Sequence, residues 1–145
     1  MSYTQSPEIT YNNLLRARAL LADEIHWCKG SFKEAFEVER LWNGWCEVRH
    51  YDYRYCMVGA VYESGVPENI APEFVDDEKN VRADLQRGQL PEEFWFLRQA
   101  VKSLDPKNPG WIWAFNDASE TKHQDVLHVF DLALQLVHEE MLVAA

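Results

Sequence analysis

Four side chains in this sequence have the types needed for thiol chemistry: Cys56, His123, Asn116 and Asp117. A cysteine becomes a nucleophile when its thiolate is favoured, a histidine can take its proton, and an asparagine or aspartate can orient that histidine. The segment "IWAFNDASETKHQDVLHVF", residues 112–130, holds three of the four within eight positions. The fourth opens the run "CMVGAV", where a helix start would lower the thiol pKa. On this reading the chain is a cysteine-dependent hydrolase or acyl transferase. The structural alternative makes Cys56 a core residue and the Asn-Asp-His cluster a helix cap and loop clamp, and no flanking catalytic signature argues otherwise.

A second set of ligand-type residues is His26, Cys28, Cys46, His50 and Cys56. Zinc sites take such side chains in pairs, Cys-x2-4-Cys or His-x3-5-His. None of the cysteines has that spacing, so no metal and no cofactor is expected. Gly-rich phosphate loops, nucleophile elbows and zinc-protease motifs are absent from the sequence.

These residues must be positioned by the surrounding elements. Ser6-Pro7-Glu8 is a helix start: a capping hydroxyl, a proline at the first turn and an acid at the positive end of the dipole. Leu14, Leu15, Ala17, Leu21, Ala22 and Ile25 continue it at helical spacing. Gly30 ends that pattern. Asn43-Gly44 then lies between runs rich in aromatic and β-branched residues, which predicts a β-hairpin with a type I′ turn. The second arm alternates with period two; the first, "KEAFEVERL", is also compatible with a helix. "YRYCMVGAVYES" predicts a buried helix that becomes wholly apolar at Cys56, with Gly59 and Ala60 allowing close backbone approach. "PENIAPEFVDDEKNVRADLQRG" reads as a loop and an acidic stretch with a weak stripe of Val75, Val81 and Leu85. "LPEEFWFLRQAVKSLD" predicts a helix beginning at Pro91, Glu92 and Glu93. The last helix is capped by Thr121 with Gln124, or by Asp117 with Glu120, and carries a stripe of Val126, Leu127, Phe130, Ala133, Leu134, Val137 and Met141. His123 falls on that stripe and Asp125 and His128 on the opposite side. The expected architecture is a mainly α, α+β fold: one domain over residues 1–145, with three or four principal helices and one hairpin.

The chain has 145 residues and a net charge of −10. Residues 1–60 hold seven basic and eight acidic side chains, residues 61–145 seven and sixteen. An acidic balance of this size argues against nucleic-acid binding, which draws affinity from Lys and Arg. No apolar run approaches the roughly 20 residues that span a bilayer. The N-terminus lacks a leader pattern, and three cysteines make no disulfide framework, so a cytoplasmic setting is expected. Trp42 and Trp45 flank the expected hairpin turn, and Trp111 and Trp113 precede Asn116. Paired indoles suit either core anchoring or a protein-binding surface.

Together "IHWCKGSF", the Asn-Gly turn, "YRYCMVGAV" and "WAFNDASETKHQDVLHVFDLAL" resemble a family of small proteins of actinobacteria and their phages known as a domain of unknown function. The matching positions are Trp27, Gly30, Gly44, Cys56, Gly59, Ala60, Asn116, Asp117, His123 and Val126. Phe115 stands where that family has Trp before Asn-Asp, and residues 62–100 match least. The resemblance implies the fold and a phage or actinobacterial origin, and no activity. The functional expectation is therefore a non-enzymatic protein-binding module that uses Trp42 and Trp45 to engage a host or cellular protein, with a homodimer also open.

Overall fold

In the computed structural model, residues 5–65, 87–88, 90–108 and 111–144 are described. The element order is α1 (Pro7–Leu20), a 3₁₀ turn (Glu24–His26), β1 (Lys33–Trp42), β2 (Glu47–Tyr55), α2 (Met57–Glu63), α3 (Glu92–Leu104), α4 (Ile112–Asp117) and α5 (His123–Ala144). The fold is mainly helical with one antiparallel hairpin, as the sequence predicts. Short α4 is an addition. The acidic stretch with Val75, Val81 and Leu85 lies outside the described residues.

Helix α1 starts as expected: Ser6 accepts from the Ile9 N–H, and Pro7 opens the first turn. It ends at Leu20, so Ala22 and Ile25 of the apolar stripe lie beyond it, and Leu15, although inside the helix, faces solvent. The buried face is Thr10, Asn13, Leu14 and Ala17. Its two polar members are satisfied. Thr10 accepts from the Gln5 side chain, and Asn13 donates to the buried carboxylate of Glu93 on α3 at 2.9 Å. Gln5 reaches the same carboxylate.

Helix α5 is the spine. Val126, Val129, Phe130, Ala133 and Val137 are fully buried against Leu14, Ala17 and Leu21 on one side and Phe94, Leu97 and Val101 of α3 on the other. At about 1.5–3 kcal/mol for each large apolar side chain removed from water, this seam is the main source of stability. Ion pairs edge it: Arg18 bonds Asp131 at 2.6 Å, and Arg87 links Glu92 of α3 to Glu140 of α5. The cap of α5 differs from both sequence proposals. The Lys122 N–H donates to Asp125 at 2.8 Å, while Thr121 is buried and Asp117 is turned away to another partner. The carboxylate three residues on has taken the capping role, which frees Asp117.

The hairpin pairs Lys33 with Tyr55 through Trp42 with Glu47, and a bulge at Val38 shifts the register between Glu37 and Glu39. The first arm is thus a strand, its helix-compatible composition overridden by pairing with β2. Tyr53, Arg54 and Tyr55 likewise belong to β2, and the following helix begins only after Cys56. The turn is not type I′. Gly44 has φ +95°, but no residue other than glycine among those described has positive φ. Instead the Asn43 side chain accepts from the Trp45 and Cys46 N–H groups, both at 2.9 Å, and the Asn43 N–H donates to Cys46 O at 3.1 Å. An Asx-type closure with a four-residue loop has replaced the two-residue turn.

Buried α2 fixes the hairpin's base. A methyl group on Gly59 would overlap the carbonyl oxygen of Phe32, so only glycine lets these two backbones meet. Replacing Gly59 with alanine should therefore cost about 3 kcal/mol or more, because both groups in contact are backbone and cannot rotate away. Urea unfolding of Gly59→Ala against the parent checks this; a loss within the ~1 kcal/mol typical of a surface change would show that the contact relaxes freely.

Candidate functional site

The Asn-Asp pair sits at the C-terminal end of α4, and Asn116 is fully buried. Two extended segments converge on it. Trp27 pairs with Tyr55 in a parallel bridge, and the Cys28 N–H donates to Tyr55 O at 3.0 Å. The next rung of such a ladder would join Cys28 O to the Met57 N–H. The Asn116 amide occupies that place: its Nδ2 donates to Cys28 O at 3.1 Å, and its Oδ1 accepts from Met57 N at 3.1 Å. Oδ1 also accepts from Trp27 Nε1 at 2.8 Å, and Nδ2 also donates to Asp117 Oδ1 at 2.9 Å. All four hydrogen-bonding positions of the amide are used.

Asp117 extends the clamp, its Oδ1 accepting from the Gly30 N–H at 3.0 Å. Lys29 Nζ donates to Ala118 O at 2.5 Å and lies 5.5 Å from the Trp27 ring centroid. His123 is half-buried and also meets that indole, with ring centroids 6.1 Å apart. Its Nε2 lies 2.6 Å from Leu21 O. A carbonyl can only accept, so the ring proton is on Nε2. The histidine's partner is thus the end of α1, not Asn116 or Asp117.

Cys56 is fully buried as the N-cap of α2, its Sγ accepting from Gly59 N at 3.3 Å. Burial pushes this thiol up to about 12, against the smaller lowering effect of the Gly59 and Val58 N–H groups. The dipole effect read from the sequence is present but outweighed by desolvation, and α2 is only seven residues long. Thiol and imidazole each have other partners. The five ligand-type residues do not gather as one set: His26 bonds Asp52 at 2.9 Å, Cys28 donates to Ser31 O at 3.4 Å, and Cys46 is exposed at the hairpin tip. Among the described residues no three His, Cys, Asp or Glu side chains gather in a metal-holding group.

The other prominent surface is the hairpin. Tyr55 alone among its strand residues is buried. Trp42 is 71% exposed and Trp45 91%. Cross-strand pairing puts Tyr51, Tyr53, Ala35 and Trp42 on one face, with Glu37, Arg40, Glu47 and Arg49 among them. Those four charges neutralise each other: Arg40 meets Glu37 at 2.9 Å and Glu47 at 3.2 Å, and Arg49 meets Glu47 at 3.0 Å. Contacts with the helical body concentrate at the base, where Lys33 approaches Glu63 at 3.8 Å and Arg54 donates to Ile25 O at 3.1 Å. A shallow groove between α3 and α5 is lined by Trp95, Phe96, Gln99, Leu136, Glu139 and Val143. It brings together no nucleophile and base.

A model described as a family of unknown function (DUF6197) matches residues 6–136. The chain belongs to that family. No curated protein and no solved structure matches it. The DUF6197 match takes in the hairpin and the whole Asn116 clamp, and no helix among the described residues is long and apolar enough to cross a membrane.

Two measurements follow from this geometry. Asn116→Ala should lose about 3–5 kcal/mol in urea unfolding, since it strands Trp27 Nε1, Met57 N and Cys28 O together. Asn116→Asp puts a carboxylate against Cys28 O and Asp117, so its deficit should shrink as pH falls and the new acid gains a proton to donate. A deficit independent of pH would contradict this arrangement. With iodoacetamide at pH 8, exposed Cys46 should alkylate first and Cys56 only on unfolding, a pKa of about 12 leaving roughly one thiolate in ten thousand. Peptide mass spectrometry showing early label on Cys56 would refute its burial.

Proposed function

We propose that this DUF6197 member is a non-enzymatic protein-binding module that engages a cellular protein with the tip and tyrosine face of its hairpin. One observation carries the reading: two tryptophans stand in solvent at the end of a hairpin with a single buried strand residue. Exposed indole costs free energy in an isolated protein and is the side chain most enriched where partners bind tightly. The hairpin adds Leu41, Tyr51 and Tyr53 as further exposed apolar surface. Its charges are already paired with one another, so a partner need not match them to cover it. The complement is an apolar groove or pocket that takes Trp42 and Trp45 as anchors. The acidic balance of residues 61–145 favours a basic rim around that pocket. If the gene is phage-borne, as the resemblance to phage proteins suggests, the partner is a host cytoplasmic protein.

The cysteine-dependent alternative gains no support from the geometry, with Cys56 enclosed and protonated and His123 bonded to Leu21 O.

The test is affinity capture from lysate with the parent protein and with Trp42→Ala/Trp45→Ala side by side. The double variant should fold with an unchanged Tm, because neither indole contributes to the core, and should lose at least ~100-fold in affinity for the captured protein. Equal recovery by both would refute the hairpin as the binding surface. Sedimentation of the parent alone addresses a homodimer: self-association abolished by the same pair would make the second copy the partner.

A further inference from the structure

Cys28 and Cys56 flank the hairpin, one just before β1 and the other just after β2. They also follow directly on the two residues of the parallel bridge, Trp27 and Tyr55. Opposite residues of neighbouring strands lie about 5 Å apart and send their side chains to the same side. A disulfide needs Cα atoms about 4.4–6.8 Å apart. Trp27 and Cys56 are both extended, with φ/ψ of −109°/140° and −78°/175°, and the Cys28 N–H is bonded to Tyr55 O. The segments part only beyond the cysteines, where the Asn116 amide is inserted between Cys28 O and Met57 N. Both thiols feel Asp117, and Cys56 feels Cys28, which agrees with their being neighbours. Each is held by a sulfur hydrogen bond to its own following turn, Cys28 to Ser31 O and Cys56 from Gly59 N. Such bonds are weak and yield to a side-chain rotation.

We infer that Cys28 and Cys56 form an oxidisable dithiol whose disulfide staples the base of the hairpin, with a small-molecule disulfide as oxidant. The Cys28 sulfur, reached first because it is 9% exposed against 0% for Cys56, attacks a sulfur of oxidised glutathione and expels one glutathione thiolate. Cys56 then attacks the Cys28 sulfur of the mixed disulfide and expels the second. One S–S bond forms as another is consumed, the cysteines lose two electrons to glutathione, and their two protons end on the two glutathione thiols. The linkage joins segments that the Asn116 clamp already holds, so the native fold accommodates it. The inference stands on this backbone geometry and holds whether or not the hairpin binds a partner.

The experiment uses full-length Cys46→Ser, which removes the exposed thiol. The protein is refolded from urea in buffers of reduced and oxidised glutathione at pH 8.5, acid-quenched and analysed by intact mass and peptide mapping. Expected are a loss of two mass units, a linked Cys28–Cys56 peptide pair, reversal by dithiothreitol, and a Tm raised by roughly 5–10 °C for a loop of this length. Refolding under exchange gives every thiol access, so absence of the linked pair would overturn the inference. A mixed glutathione disulfide persisting on Cys28 would overturn it too, as would a linked form with a lower Tm than the reduced protein.

Discussion

The junction from which the hairpin leaves the helical body turns on one buried carboxamide. Asn116 stands in for a strand at the point where the Trp27–Cys28 and Tyr55–Met57 segments diverge, and it satisfies the Cys28 C=O and Met57 N–H that the divergence would otherwise orphan, together with the Trp27 indole N–H. A buried unpaired N–H or C=O costs about 1–3 kcal/mol, and three donors or acceptors would be stranded together. The amide therefore does more than hold a loop. It joins the end of the 3₁₀ turn, the start of α2 and the end of α4 at one point, and from that point both hairpin strands leave the body. Glycine at position 59 and the Phe32 carbonyl make the same junction from the other side.

This arrangement also explains why Cys56 and His123 each have a partner other than one another. The helix start that favours a Cys56 thiolate lies inside the core, and there desolvation outweighs the two N–H groups that would stabilise the charge. His123 faces inward as its place on the α5 stripe requires, and it is closed off by the carbonyl left free at the end of α1. Polar groups are conspicuous here because the ends of three elements meet and each leaves backbone to satisfy.

The local parts of this fold were legible in the sequence, and the non-local ones were not. Ser6-Pro7-Glu8, the α5 stripe and the apolar onset at Cys56 are statements about neighbours three or four residues apart, and all appear as read. The first hairpin arm was ambiguous because Lys33, Glu34, Ala35 and Glu37 also suit a helix, and only the cross-strand partners settle it. The turn departs from the type I′ expectation for a local reason: the Asn43 side chain takes over the turn's hydrogen bonds. Asn116 and Asp117 were singled out, but their partners Trp27, Cys28, Gly30 and Met57 lie 59 to 89 residues away. The only trace of those partners was the Trp27 and Gly30 spacing of the family resemblance. Ile25 lies past the residue where α1 stops, and Leu15, inside the helix, falls on its solvent side, so neither joins the buried face that apolar spacing alone suggests.

A projecting two-stranded ribbon has two open edges, and open edges with apolar side chains are templates on which further chains can add strand by strand. The bulge at Val38 interrupts β1 midway, where it bends the ribbon and spoils the flat, continuous ladder that such growth requires. Glu37, Glu39 and Arg40 beside it place charge on the same stretch, and the 3₁₀ turn and Cys28 cover the other strand near Asp52 and Tyr55. The tryptophans can thus remain in water without seeding fibrils. In colloidal terms, one extra residue in β1 separates an exposed aromatic surface from one that accepts any copy of itself.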